Sequence, residues 1–203
     1  MAKDLSGFSY TEDDEAAMLV ARQEDSPWES KHIKDLKSRI KKFHLSLTNE
    51  TCCYCGKEFH GEFTMVIDVE HIVPKKKYDA LMFNIANLSV SCKRCNLNIK
   101  GEDTDFLIEP FDCADVGQHD KYKFVHPNLD DRKQHLSRYV VQANECRIVK
   151  YVTRSTKGEY TYTYFKLDEL EIDSFDLAQG ANQVNDSEAG MLSEIRAMVK
   201  AIE

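Results

Sequence analysis

The chain has no apolar run long enough to cross a bilayer and, in its first twenty residues, no apolar core of the kind a secretory leader needs. Asp4, Glu12, Asp13, Asp14 and Glu15 occupy that region instead. It also lacks the composition of a disordered chain: prolines number only four, and 42% of the 203 residues are hydrophobic. An excess of positive charge is missing too. The formal net charge is -8, which argues against a surface that grips nucleic acid indiscriminately. These absences leave a folded protein expected in the cytoplasm, with no membrane contact. In that reducing compartment seven cysteines do not make a disulfide framework, and paired spacing points to metal.

The cysteines are paired. Cys52 and Cys55 form one C-x2-C, and Cys92 and Cys95 a second. Four thiolates satisfy a tetrahedral zinc and leave no open position, so the expected zinc is structural. Gly56 suits the tight turn of a zinc knuckle, and Cys53 is read as a small packed residue. Between the pairs runs V-I-D-V-E-H-I-V-P, and the second pair is followed at once by Asn96. Glu70 and Asn96 offer hard oxygen donors suited to Mg2+ or Mn2+, and His71 offers a base that works near neutrality. Neighbouring strand residues point to opposite faces, so Glu70 and His71 converge only at a strand end or bulge. Charge is concentrated here as well. From His71 to Gly101, six basic residues (Lys75, Lys76, Lys77, Lys93, Arg94, Lys100) face one acid, Asp79. These six are the candidate contacts to a nucleic-acid backbone.

Around this stretch, residues 1–25 read as an acidic, weakly patterned lead-in that is frayed or loosely docked. A helix is expected from the Ser26-Pro27-Trp28-Glu29 cap, with Ile33, Leu36, Ile40, Phe43 and Leu47 as its apolar stripe. Its lysines read as a solvated face, with DNA-backbone contact as the alternative. Strands are expected over 65–69 and 87–91, then a short helix from the second cysteine pair to Gly101. Asp130 or Asp131 is expected to cap a short helix through His135. Segments 139–141, 146–152 and 159–165 read as strands, with Lys157-Gly158 as a turn and Tyr160, Tyr162 and Tyr164 on one strand face. Residues 171–187 resemble a linker, and Met191–Ile202 an amphipathic helix that docks on its own domain or on a partner.

The joint pattern resembles the HNH endonucleases, the ββα-metal nuclease family, many of whose members carry two zinc-binding C-x2-C pairs. The resemblance implies His71 as general base, Glu70 and Asn96 as ligands of a catalytic divalent metal, and Asn87 as the Asn that braces the loop. It implies Cys52, Cys55, Cys92 and Cys95 as zinc ligands. Glu70 stands where Asp is commoner. More loosely, the Lys-rich loop, C-K-R-C-N and His126-Pro127 with Asp130, Asp131 and His135 are similar to HNH subunits of bacterial defence systems, Septu-type and retron-associated, which act beside an ATPase partner. His126 and His135 are read as helix-end or packing residues, with ligation as the alternative.

The expectation is therefore an α+β protein. Residues 26–118 hold a ββα-metal core with a leading helix and a structural four-cysteine zinc site, 119–170 a small β-rich extension, and 171–203 the linker and terminal helix. Its expected activity is metal-dependent phosphodiester hydrolysis, with DNA as substrate. The alternatives are a noncatalytic zinc module that binds nucleic acid or protein, and a toxin-like nuclease held inactive by a partner.

Overall fold

The computed structural model describes residues 2–143 and 146–173, together with position 197. The expected linker beyond residue 173 and the Met191–Ile202 helix lie outside the described residues. The chain divides into two compact units, Met1–Asp131 and Arg132–Glu203. The architecture is mixed: helices with small antiparallel sheets, consistent with an α+β fold.

The first unit opens on a segment expected to be frayed or loosely docked, and the structure differs. The acidic lead-in contains α1, Glu12–Ala21, and it is docked. Thr11 accepts a hydrogen bond from the Asp14 amide, and the Asp14 carboxylate accepts one from the Thr11 amide at 2.8 Å. This reciprocal cap satisfies two orphan donors of the first turn. Four acids in that turn suit the positive end of the helix dipole. Asp14 is held below the usual carboxylate range by these bonds and by Arg39, against the opposing effect of burial. Low hydrophobic patterning hid the helix, because its stability comes from the cap, from Arg39, and from Ala17, Met18 and Ala21 on the core.

Two 3-10 turns, Pro27–Glu29 and Lys31–Ile33, lead into α2, Lys34–Leu47. Ile33, Leu36 and Ile40 are buried and Phe43 is partly so, but the stripe continues at His44. Burying each aliphatic side chain contributes roughly 1.5–3 kcal/mol. Trp28, Met82, Phe83 and Leu88 complete this core.

Strand β1, Ile67–His71, pairs antiparallel with β2, Leu88–Cys92. Asp68 lies opposite Ser91 and Glu70 opposite Ser89, so these four share one face. The long loop between the strands is closed by Asn87. Its Oδ1 accepts from the Val73 amide at 2.8 Å, and its Nδ2 donates to the carbonyls of Val73 and Leu81. A π-helical segment, Arg94–Lys100, follows β2 and stops at Gly101, whose φ of 50° lies in the left-handed region that glycine tolerates.

In the second unit, α3 spans Arg132–His135. Strands β3 (Leu136–Ala143), β4 (Cys146–Thr153) and β5 (Ile172–Asp173) form one sheet in that order. The expected third strand over 159–165 is wrong. Those residues lie largely in α4, Thr156–Tyr164. Ser155 caps it by accepting from the Gly158 amide at 3.1 Å. Gly158 is no turn residue: a Cβ there would stand 2.0 Å from the His135 carbonyl oxygen, so glycine permits a close backbone approach. Tyr160 and Tyr164 stack as an i, i+4 pair, with ring centroids 5.7 Å apart, while Tyr162 meets Tyr151. Alternating tyrosines mimicked a strand, and the cap decided otherwise.

Candidate functional site

The cysteine knuckle is built by short local bonds. The Cys52 amide donates to the Lys57 carbonyl, the Gly56 amide donates to the Cys52 carbonyl, and Gly56 has a φ of 68°. The Cys53 amide donates to the Val90 carbonyl and ties the knuckle to β2, while the Cys53 side chain is buried. Cys92 ends β2, and Cys95 lies in the π-helical segment. The four Sγ atoms of Cys52, Cys55, Cys92 and Cys95 lie within 4.8 Å of one another. Tetrahedral zinc with Zn–S near 2.3 Å requires S···S separations of about 3.8 Å. The Cys55–Cys92 separation is 3.8 Å. The donor set and its spacing fit zinc.

Glu70 and His71 do not converge. Strand alternation persists to the end of β1 and sends them to opposite sides. Glu70 accepts from the Tyr54 hydroxyl at 3.0 Å and pairs with Lys100 Nζ at 3.0 Å. Both charged side chains are 1% exposed. Burial pushes the Glu70 carboxyl above its ordinary value, against the opposing pull of Lys100 and Tyr54. Lys100, expected among the backbone-contacting cations, is thus enclosed by the fold and turned to a carboxylate.

His71 packs beneath Trp28, with ring centroids 4.3 Å apart. Its Nε2 lies 3.0 Å from the Met82 carbonyl oxygen. A carbonyl can only accept, so that nitrogen carries the proton and Nδ1 keeps a lone pair. Burial, then the nearby Lys75 cation, lowers the imidazole to about 3, so it is neutral at physiological pH.

Asn96 meets a different carboxylate. Its Nδ2 is 3.0 Å from Asp68 Oδ2, and Lys93 Nζ is 2.8 Å from Asp68 Oδ1. Asp68 and Asn96 line a groove of about 750 Å³. Six lysines line it too: Lys31, Lys34, Lys37 and Lys41 from the α2 side, with Lys75 and Lys93 from the ββ-helix side. Among the described residues, Glu29 and Asp68 are the acids in that lining. On a chain of net charge -8, a groove with six cations against two anions is a marked local reversal. Lys41 donates to the Thr64 and Ile67 carbonyls and Lys37 to the Trp28 carbonyl, whereas Lys31 and Lys34 are exposed. Lys76 is engaged by Glu102 and Lys77 by Thr104. Arg94 lies in the first turn of the π-helical segment, half-buried.

Sequence reasoning missed Asp68, Tyr54 and Trp28. Asp68 was findable, since period two puts it on the Glu70 face. The sequence allows the α2 lysines to be a solvated face or contacts to a DNA backbone, and nothing in it shows which face meets β1. His126 is buried, and its Nδ1 accepts from the Asn128 and Leu129 amides. His135 pairs with Ser155 across 2.7 Å within its own unit.

Among the described residues no helix is long and apolar enough to cross a membrane. Residues 52–102 match the family model described as HNH endonuclease. Over 137 residues the chain is 29% identical to the Septu protein PtuB of Bacillus thuringiensis, covering 66% of this chain and 43% of that protein. The chain therefore spans less than half the length of that relative. No solved structure matches it. The pattern of two cysteine pairs around a strand-ending histidine, the four gathered thiols and the match over 52–102 together make this stretch an HNH endonuclease domain.

Proposed function

We propose that this protein is a metal-dependent endonuclease that hydrolyses phosphodiester bonds in DNA, with His71 as its general base. The observation that carries the reading is the placement of His71: its Nε2–H is fixed on the Met82 carbonyl, and its ring packs against the Trp28 that lines a lysine-rich groove. Nδ1 takes a proton from the attacking water, a role that contributes roughly 10²–10⁴-fold in rate. Asn87 holds the loop that carries Met82, and so holds the imidazole's partner in place. The exposed lysines of the groove hold phosphates without reading bases. Asn96, with a carboxylate from β1, would hold Mg2+ or Mn2+ through hard oxygen donors. When bound, such an ion neutralises charge developing on the phosphate and the leaving oxygen. The four-cysteine zinc has no free position and acts on the fold alone.

The biological setting proposed is anti-phage defence, as the nuclease component of a Septu-type system beside an ATPase-like partner. Similarity to the Septu protein PtuB supports this. The test is incubation of the purified protein with plasmid and single-stranded DNA in Mg2+, Mn2+ or EDTA. Cleavage is expected with metal and absent in EDTA. His71→Ala is expected to reduce it by about 100-fold or more, with zinc content and DNA binding retained. Cutting that survives in the His71→Ala protein removes His71 as base and overturns this reading of the site.

A further inference from the structure

The two carboxylates on one face of β1 have separate fates. Glu70 is enclosed: one oxygen is engaged by Tyr54 and Lys100, and the other is shut in with no partner. The hydroxyls of Ser89 and Ser91, on the same sheet face, are enclosed likewise. A catalytic magnesium or manganese ion keeps several waters and must also reach a phosphate. An oxygen sealed from solvent cannot serve such an ion. Asp68 is placed otherwise. Its side chain is 21% exposed, it lines the groove, and Asn96 is 3.0 Å away. Rotation of the Asn96 amide about its terminal bond exchanges nitrogen for oxygen and presents two hard oxygen donors side by side.

We infer that Asp68, rather than Glu70, is the carboxylate that shares the divalent metal with Asn96, and that Lys93 competes with the metal for Asp68. Glu70 is a positioning residue. It joins the zinc knuckle, through Tyr54, to the end of the π-helical segment, through Lys100, and so sets where Asn96 stands. Lys93 is a built-in competitor: its ammonium lies 2.8 Å from Asp68 Oδ1. A metal arriving at Asp68 displaces that cation, which becomes free to meet a phosphate in the groove.

The inference rests on the nuclease reading for its biological meaning but is tested without it. Mn2+ binding to zinc-loaded, DNA-free protein is measured by electron paramagnetic resonance for wild type and for Asp68→Asn, Glu70→Gln and Lys93→Met. Asp68→Asn is expected to weaken Mn2+ at least tenfold, and a folded Glu70→Gln to stay within about twofold of wild type. Lys93→Met is expected to tighten Mn2+ severalfold, a sign that a merely structural Asp68–Lys93 pair would not produce. If Glu70→Gln fails to fold, the Asp68→Asn and Lys93→Met pair still decides. Unchanged Mn2+ affinity in both Asp68→Asn and Lys93→Met overturns the assignment, as does selective loss in a folded Glu70→Gln. Plasmid cleavage measured alongside separates the two claims. A wild type that binds Mn2+ through Asp68 yet never cuts sinks the nuclease reading alone. A wild type that cuts while Asp68→Asn keeps full Mn2+ affinity sinks this assignment alone.

Discussion

The four-cysteine cluster and the lysine-lined groove share one ββ-helix core, and they are built by opposite rules. In the cluster every donor turns inward, and three of the four cysteines are buried. A tetrahedral ion there would be closed to substrate and would return its binding energy as folding energy. In the groove, cations and a carboxamide are left at the surface, with Lys31 and Lys34 exposed. Uncompensated positive charge weakens a fold and strengthens its hold on a polyanion. In the proposed reading, stability and function fall to different ligand sets a few residues apart, with Cys95 and Asn96 as neighbours on one helical segment.

The largest way to break the contrast is at the cluster. Structural zinc contributes apparent binding energies of about 10–16 kcal/mol in small domains. Cys92→Ser is expected to abolish zinc content and cooperative unfolding together, as read by metal analysis and thermal melting. A folded, zinc-free protein would place the cluster outside the stability account.

The next test concerns the buried Glu70–Lys100 pair, which stands between the two regions. Removing one member of such a pair destabilises by roughly 3–5 kcal/mol, because it strands a charge. Lys100→Met is expected to lower the melting temperature by about 10 °C or more. Adding Glu70→Gln to it is expected to recover part of that loss. A Lys100→Met protein that melts like wild type but binds DNA less would restore Lys100 as a candidate contact to the nucleic-acid backbone.

Helix α2 repeats the comparison on two faces. On its inner face His44 is fully buried, with both ring nitrogens unpartnered, and burial, then Lys3, holds its pKa near 3. The folded value lies below the ordinary 6.5. Stability from the neutral ring is therefore complete above about pH 6.5 and is lost progressively as pH falls toward 3, by a few kcal/mol in all. His44→Leu is expected to flatten that acid branch in denaturant titrations between about pH 7 and 4. An unchanged branch would assign the acid sensitivity to other groups.

The exposed lysines at the start of α2 and in the turn before it supply the smallest effect. Lys31→Ala with Lys34→Ala is expected to reduce the salt slope of DNA binding by about 1.8 (0.9 per phosphate contact). Neutralising Lys76 and Lys77, which are engaged by Glu102 and Thr104, is expected to change it less. The reverse ranking would favour the 75–77 loop over the groove as the place where DNA binds.

Legibility of the sequence followed the range of the interactions. The knuckle and the hairpin were readable because their logic is local: short spacing, a glycine at positive φ, a strand, a loop and a returning strand. The bracing role of Asn87 came from the family resemblance, not from any local pattern. The α2 stripe was readable through Ile40, but not its continuation at His44, because a buried histidine looks polar in any pattern. Residues 159–165 misled because tyrosine fits both a strand face and an i, i+4 helical stack. Only the Ser155 cap and the close approach of Gly158 to His135 settle that choice.

By itself the sequence determined the metal chemistry available, since four thiols, an imidazole, an amide and carboxylates are properties of side chains. It determined that they lie near one hairpin, since the spacings are short. Tertiary structure alone decided which carboxylate is sealed and which is open. Asp68 and Glu70 share a strand face, and their difference arises only where Tyr54 and Lys100 close over one of them and α2 leaves a groove beside the other. Burial is a property of what the rest of the chain packs against, and no local pattern carries it.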